Sequence, residues 1–142
     1  MKKGLFSFII FLILCSLLLT FVLADGVEPR LNNTLTTSTN FTISSTGKAT
    51  IAASYNGYQN VTTGATITSY LEKRTLGIFW SKVDIGTTNN MWIDTSSDYL
   101  DTFIHTFQLE DTGTYRATVT YEIRGTGGSA DVIDYDKTVT YS

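Results

Sequence analysis

The chain has 142 residues, 42% of them hydrophobic and 16% charged, with one cysteine, one histidine and a formal net charge of −3. This length holds one domain beside a targeting segment, and the acidic balance argues against nucleic acid and against anionic membrane surfaces as partners. A single cysteine excludes an internal disulfide framework, so stability has to come from packing.

Lys2 and Lys3 precede an uncharged apolar run from Gly4 to Val22. A positive start, an apolar stretch and small residues at its end mark a secretory signal. Val22-Leu23-Ala24 followed by charged Asp25 predicts cleavage between Ala24 and Asp25, leaving 118 residues with a formal charge of −5. The run is longer than the ~7–15 residues of a signal's apolar region and approaches the ~20 that span a bilayer. An uncleaved N-terminal anchor is therefore the alternative. By either route the folded part is expected outside the cytoplasm, secreted or held on the membrane by the N-terminal helix as its only membrane contact. Cys15 lies within the run after Leu14, where a lipoprotein signal has Gly, Ala or Ser, which argues against lipidation. The predicted organisation is a signal over 1–24, an extended leader and edge strand over 25–45, and a β-domain over 46–142.

Asp25 to Asn33 carries the single proline, Pro29, and reads as extended. The Thr-, Ser- and Asn-rich stretch that follows predicts an edge strand at about Phe41 to Ser44, because threonine favours strands. From Lys48 the chain alternates at period two. Ala49, Ile51, Ala53 and Tyr55 share one face, and Asn56-Gly57 predicts a turn. Ala65 to Lys73 is the next strand, and Leu76-Gly77 introduces Ile78 to Ile85, apolar on both faces at first. Met91 to Ile93 is short, and Leu100 to Leu109 aligns Phe103, His105, Phe107 and Leu109. In Tyr115 to Ile123 the odd positions are apolar and the even ones are Arg, Thr, Thr and Glu. Gly125-Thr126-Gly127-Gly128 predicts a loop, and Val132 to Tyr141 aligns Ile133, Tyr135, Val139 and Tyr141. No stretch after the signal has helical periodicity. The expected fold is all-β, an antiparallel sandwich of seven or eight strands, with an up-and-down barrel as the rival.

Asp111-Thr112-Gly113-Thr114-Tyr115-Arg116-Ala117 resembles the D-x-G-x-Y-x-C corner of immunoglobulin-type domains. The resemblance implies an immunoglobulin-like sandwich with a tyrosine corner at Asp111, Gly113 and Tyr115. Ala117 takes the cysteine's place, and Ala53 is its small counterpart across the core. The core tryptophan of that family has no equivalent, since Trp80 falls on the following strand. The whole precursor also resembles small secreted proteins of Gram-positive, clostridia-like bacteria, a group without an assigned role. That likeness rests on Ala24-Asp25-Gly26-Val27-Glu28-Pro29-Arg30, on Glu72-Lys73-Arg74 with Phe79-Trp80, and on Thr114-Tyr115-Arg116 with Val119 and Tyr121.

No catalytic constellation stands out, and the chain reads as a non-enzyme with no cofactor. His105, flanked on its face by Phe103 and Phe107, reads as a half-buried, hydrogen-bonded histidine. No G-x-S-x-G nucleophile elbow is present. Asp94, Asp98 and Asp101, and again Asp131, Asp134 and Asp136, match no calcium-loop pattern and read as solvated carboxylates, so no metal site is assigned. Asn32, Asn40 and Asn60 begin N-x-Thr sequons, of use only in a glycosylating host. Aromatics supply the candidate binding residues. Phe79 and Trp80, adjacent on a strand, must point to opposite faces, and Trp92 and Tyr99 are expected to extend the exposed one. Such a platform stacks on a sugar ring or anchors a protein, the alternative being a hydrophobic cluster that closes the end of the sandwich. The expected function is a secreted or cell-surface binding module for a protein or glycan. The alternatives are a self-assembling surface component and, third, a toxin-like factor acting on membranes.

Overall fold

The computed structural model describes residues 31–142, which form one compact unit. The predicted signal with its expected Ala24–Asp25 cleavage site, and most of the expected leader, lie outside the described residues.

Eight strands follow one another: β1 (Thr34–Ile43), β2 (Lys48–Gly57), β3 (Thr62–Thr75), β4 (Phe79–Lys82), β5 (Trp92–Ser96), β6 (Leu100–Gln108), β7 (Gly113–Gly125) and β8 (Asp131–Tyr141). A 3-10 turn at Thr88–Asn90 is the one helical element among the described residues. Every strand pairing is antiparallel. The all-β, antiparallel reading thus holds. The strands form two sheets, one ordered β1-β2-β6 and the other β4-β3-β7-β8, with β5 also paired to β3. β3 is long enough to hold β5 along Ala65–Ser69 and β4 along Glu72–Thr75 on the same edge.

Period-two alternation decides which side of each sheet is dry. Phe41, Ala49, Ile51, Ala53 and Tyr55 of the first sheet join Ile67, Leu71, Tyr115, Ala117, Val119, Tyr121 and Ile123 of the second in one buried cluster. Each fully buried aliphatic side chain there contributes about 1.5–3 kcal/mol. Ala53 and Ala117 are both core residues on facing sheets.

Three tyrosines do more than fill volume. Each hydroxyl donates to a backbone carbonyl: Tyr55 to Asp98 at 2.7 Å, Tyr115 to Asp111 at 2.7 Å, and Tyr121 to Ser38 at 2.9 Å. The Tyr121 bond joins β7 to β1, so it ties one sheet to the other.

Several boundaries differ from the sequence reading, each for a tertiary reason. The edge strand starts at Thr34, not Phe41. Asp131 captures its entry: its carboxylate accepts the Asn32 N–H at 3.0 Å, the Asn33 N–H at 2.7 Å and the Thr34 hydroxyl at 2.8 Å. The predicted turn at Asn56-Gly57 comes later, where the Val61 and Thr62 N–H groups bond back to the Tyr58 carbonyl. Gly57 stays in β2 because Thr62 packs where its Cβ would stand. After Lys82 the predicted strand stops short, and Val83 to Met91 is irregular.

Candidate functional site

The structure does not bring the four aromatic candidates together. Trp80 pairs with Arg74 and Trp92 pairs with Ser69, both on β3. An even and an odd partner on one strand put the two indoles on opposite faces of the sheet. Tyr99 lies in the β5–β6 connection, past the far end of β5, where its carbonyl accepts the Gly57 N–H at 2.7 Å. The expected four-residue platform is therefore corrected to two separate placements.

Trp92 belongs to the seam between β5 and β6. Its ring stacks on His105 with centroids 4.9 Å apart and planes 7° from parallel. The imidazole Nε2 meets Asp94 Oδ2 at 2.7 Å, and the His105 side chain is 22% exposed. β5 sits on one sheet and β6 on the other, so the stack and the His105–Asp94 contact close one side of the sandwich. Both the ring face and Nε2 of His105 are thus engaged within the seam. The opposite side is closed by the Asp131 contacts.

Trp80 lies on the outer face of the larger sheet, and its ring is occupied. The Arg116 guanidinium stands 4.4 Å from its centroid and Arg74 stands 5.9 Å away. Glu72 fixes Arg116 from below with bonds of 2.6 and 2.8 Å. Lys82 covers Tyr70 on the same face at 4.4 Å. A ring already covered by a guanidinium is not an open sugar-stacking surface, which weakens the glycan alternative at Trp80.

The acidic groups are dispersed, and among the described residues no three His, Cys, Asp or Glu side chains converge as metal ligands. Asp94 is paired to His105, and Asp134 accepts the Thr120 hydroxyl at 2.6 Å. Asp131 is not the solvated carboxylate expected. It is buried, and burial pushes its pKa up, but the hydrogen bonds from Asn32, Asn33 and Thr34 outweigh that and hold it below the usual carboxylate range.

Exposed apolar side chains occur on β5 and β6, where Ile93 is 61% and Ile104 63% exposed, and consecutively at the β3–β4 hairpin. Leu76 is 88% exposed, Ile78 69% and Phe79 59%. The last β3–β7 pair is Lys73 with Tyr115, so the residues from Arg74 to the tip have no β7 partner, although β7 itself begins two residues earlier, at Gly113. Three residues of extended chain reach about 10 Å. Leu76 and Gly77 both adopt positive φ, 51° and 73°, which closes the turn with the Ile78 N–H on the Thr75 carbonyl at 3.2 Å. Of the sequence candidates this site retains Phe79 and Trp80. Leu76 and Ile78 were missed, although the uninterrupted Leu76-Gly77-Ile78-Phe79-Trp80 run between basic residues is the signal that marks them.

Behind the hairpin, a groove of about 480 Å³ separates β4 from the β6–β7 connection. Phe107, Leu109 and Tyr115 line it with apolar surface, and Lys73 bridges to Asp111 at 2.9 Å at its rim. Tyr115 holds the Asp111 carbonyl beside it, so two of the predicted corner residues, Asp111 and Tyr115, line this groove, and Gly113 starts β7 between them. No family model, curated protein or solved structure matches this chain.

Proposed function

We propose that this chain is an exported, non-catalytic binding module with an immunoglobulin-like sandwich, and that the β3–β4 hairpin is its contact surface. Two features support the immunoglobulin-like part. The orders β1-β2-β6 and β4-β3-β7-β8, taken in chain order, accord with strands A-B-E facing C′-C-F-G. The Tyr115 hydroxyl on the Asp111 carbonyl lies where a tyrosine corner enters strand F. β5 departs from the constant-type pattern by joining β3 and not β6.

The binding reading rests on one observation: three large apolar side chains are exposed side by side on a projecting hairpin, one of them a leucine at φ 51°. A left-handed leucine costs about 1–2 kcal/mol, and an exposed apolar cluster adds an aggregation risk. Local rules broken together at one place mark a functional surface.

Labelled chain added to intact producing cells tests this. The variant Leu76→Ser/Ile78→Ser/Phe79→Ser should bind at least about tenfold more weakly, because hot-spot side chains each carry about 2 kcal/mol or more. Its melting should match the parent, since the changes remove no core contact. Undiminished cell binding by a folded variant would sink the reading. A self-assembling surface protein is the second reading, favoured by β1, an edge strand without a charged residue. Concentration-dependent oligomers on sizing would support it, and a monomer at all concentrations would remove it.

A further inference from the structure

Resting on the hairpin as the contact surface, we infer that its partner is a lipid bilayer with anionic headgroups. The hairpin inserts its tip into the outer part of the hydrocarbon.

Shape and chemical order carry this. The tip is convex, whereas a stable protein interface needs about 800 Å² of fitted surface per partner. A fluid apolar medium accepts a narrow projection without a matching pocket. The side chains are also graded by depth. Leu76 and Ile78 stand at the tip, Phe79 is level with Thr75, Trp80 with Arg74, and Lys82 with Glu72. Aliphatic residues first, the indole beside Arg74 next and Lys82 last follow the order a bilayer presents, from acyl chains through the interface to the phosphates. The apolar reach of about 10 Å matches the depth at which interfacial segments sit.

Net charge alone argues against an anionic surface, but its distribution does not. Lys73 to Lys82 carries three cations and no carboxylate, while the rest of the chain has a formal charge of −6. Lys73 is engaged with Asp111, and Arg116 with Glu72. Arg74 and Lys82 stand outside the four ion pairs found among the described residues, beside the aromatic rings they cover. Asp84, Glu110 and Asp111 line the groove together with Lys73 and Lys82, while the Lys82 ammonium lies over Tyr70 on the Trp80 face. The chain therefore docks tilted, with the Trp80 face toward the headgroups and the groove turned away.

Tryptophan quenching in the full chain tests the inference whether or not the N-terminal apolar run also enters the membrane. The chain has two tryptophans. Trp92→Phe leaves Trp80 as the only emitter, and Trp80→Phe leaves Trp92, seven residues along β3 from the tip and so about 23 Å away. Each is mixed with vesicles of phosphatidylcholine containing about one-third phosphatidylglycerol, with brominated acyl chains. Trp80 emission should shift to the blue and be quenched, and Trp92 emission should not. The added variant Leu76→Ser/Ile78→Ser/Phe79→Ser should abolish quenching of Trp80. Arg74→Gln/Lys82→Gln should weaken it about 30-fold in lipid concentration, at about 1 kcal/mol per cation, and remove the preference for anionic over neutral vesicles. Unquenched Trp80 on vesicles that carry the bound chain would overturn the inference. If the tip variant still fails on intact cells in that case, the partner is a protein and the hairpin remains the contact surface. If cell binding is also unaffected, both proposals fall.

Discussion

Asp131 shows how one residue can set a boundary that its neighbours in sequence do not. Its carboxylate lies 6% exposed against the start of β1, on three donors from Asn32, Asn33 and Thr34. Removing that acceptor leaves buried backbone N–H groups unsatisfied. Asp131→Ala should therefore cost about 2 kcal/mol at pH 7, read by urea unfolding. The pH dependence has a definite sign. Because the folded pKa is lowered, the contribution is complete above the unfolded value of about 4 and is lost as pH falls through the folded one. The gap between parent and variant should narrow as unfolding is repeated toward pH about 2. A gap independent of pH would mean that the carboxylate's charge does not hold β1.

At the scale of the element, the β3–β4 hairpin is built against its own stability. Its turn needs two successive residues at positive φ, and glycine fills only the second position. Asparagine tolerates the left-handed region far better than leucine, so Leu76→Asn should stabilise the fold by about 1 kcal/mol, seen as a higher melting temperature. The same change should weaken binding to cells and to anionic vesicles. Gain in one and loss in the other is the pattern of a residue kept for contact. A less stable Leu76→Asn chain would show that the exposed leucine packs in a way its 88% exposure denies. The β5–β6 seam is the opposite kind of element, with Trp92 packed on the core and stacked on His105, whose ring in turn meets Asp94.

For the whole molecule, the two sheets are held by packing and by hydroxyl ties that pass between segments far apart in the chain. Tyr121 spans the sandwich: its hydroxyl donates to the Ser38 carbonyl and meets the Thr39 hydroxyl. Burial pushes the Tyr121 pKa above its ordinary value, more than the Thr39 bond lowers it, and burial likewise raises Tyr55. A raised pKa gives stability that is complete below the unfolded value of about 10 and is lost as pH rises through the folded value. The domain should thus unfold at lower urea at pH about 11 than at pH about 8. Tyr121→Phe should cost about 1 kcal/mol at pH about 8 and show a shallower alkaline decline. An equal decline in both chains would place the alkaline sensitivity elsewhere.

Strand content and inward faces were legible in the residues alone, because a strand exposes its two sides by strict alternation. Tyr115 to Ile123 needs no neighbour to reveal which side is dry. The hairpin tip was half legible: Phe79 and Trp80 stood out as aromatics, while Leu76 read only as the lead into a strand beginning at Ile78 that is apolar on both faces. The exposure of Leu76 and Ile78 is decided by where β7 stops pairing with β3, a register that no local pattern encodes. The same limit separated Trp80 from Trp92, whose faces depend on which β3 residues they meet, and moved the start of β1 back to Thr34, which depends on a carboxylate 97 positions away. The amino-acid order determined an antiparallel all-β chain with a hydrophobic side to each strand. Only the tertiary structure decided which apolar groups remain outside, because exposure is a property of what packs against a residue and not of the residue itself.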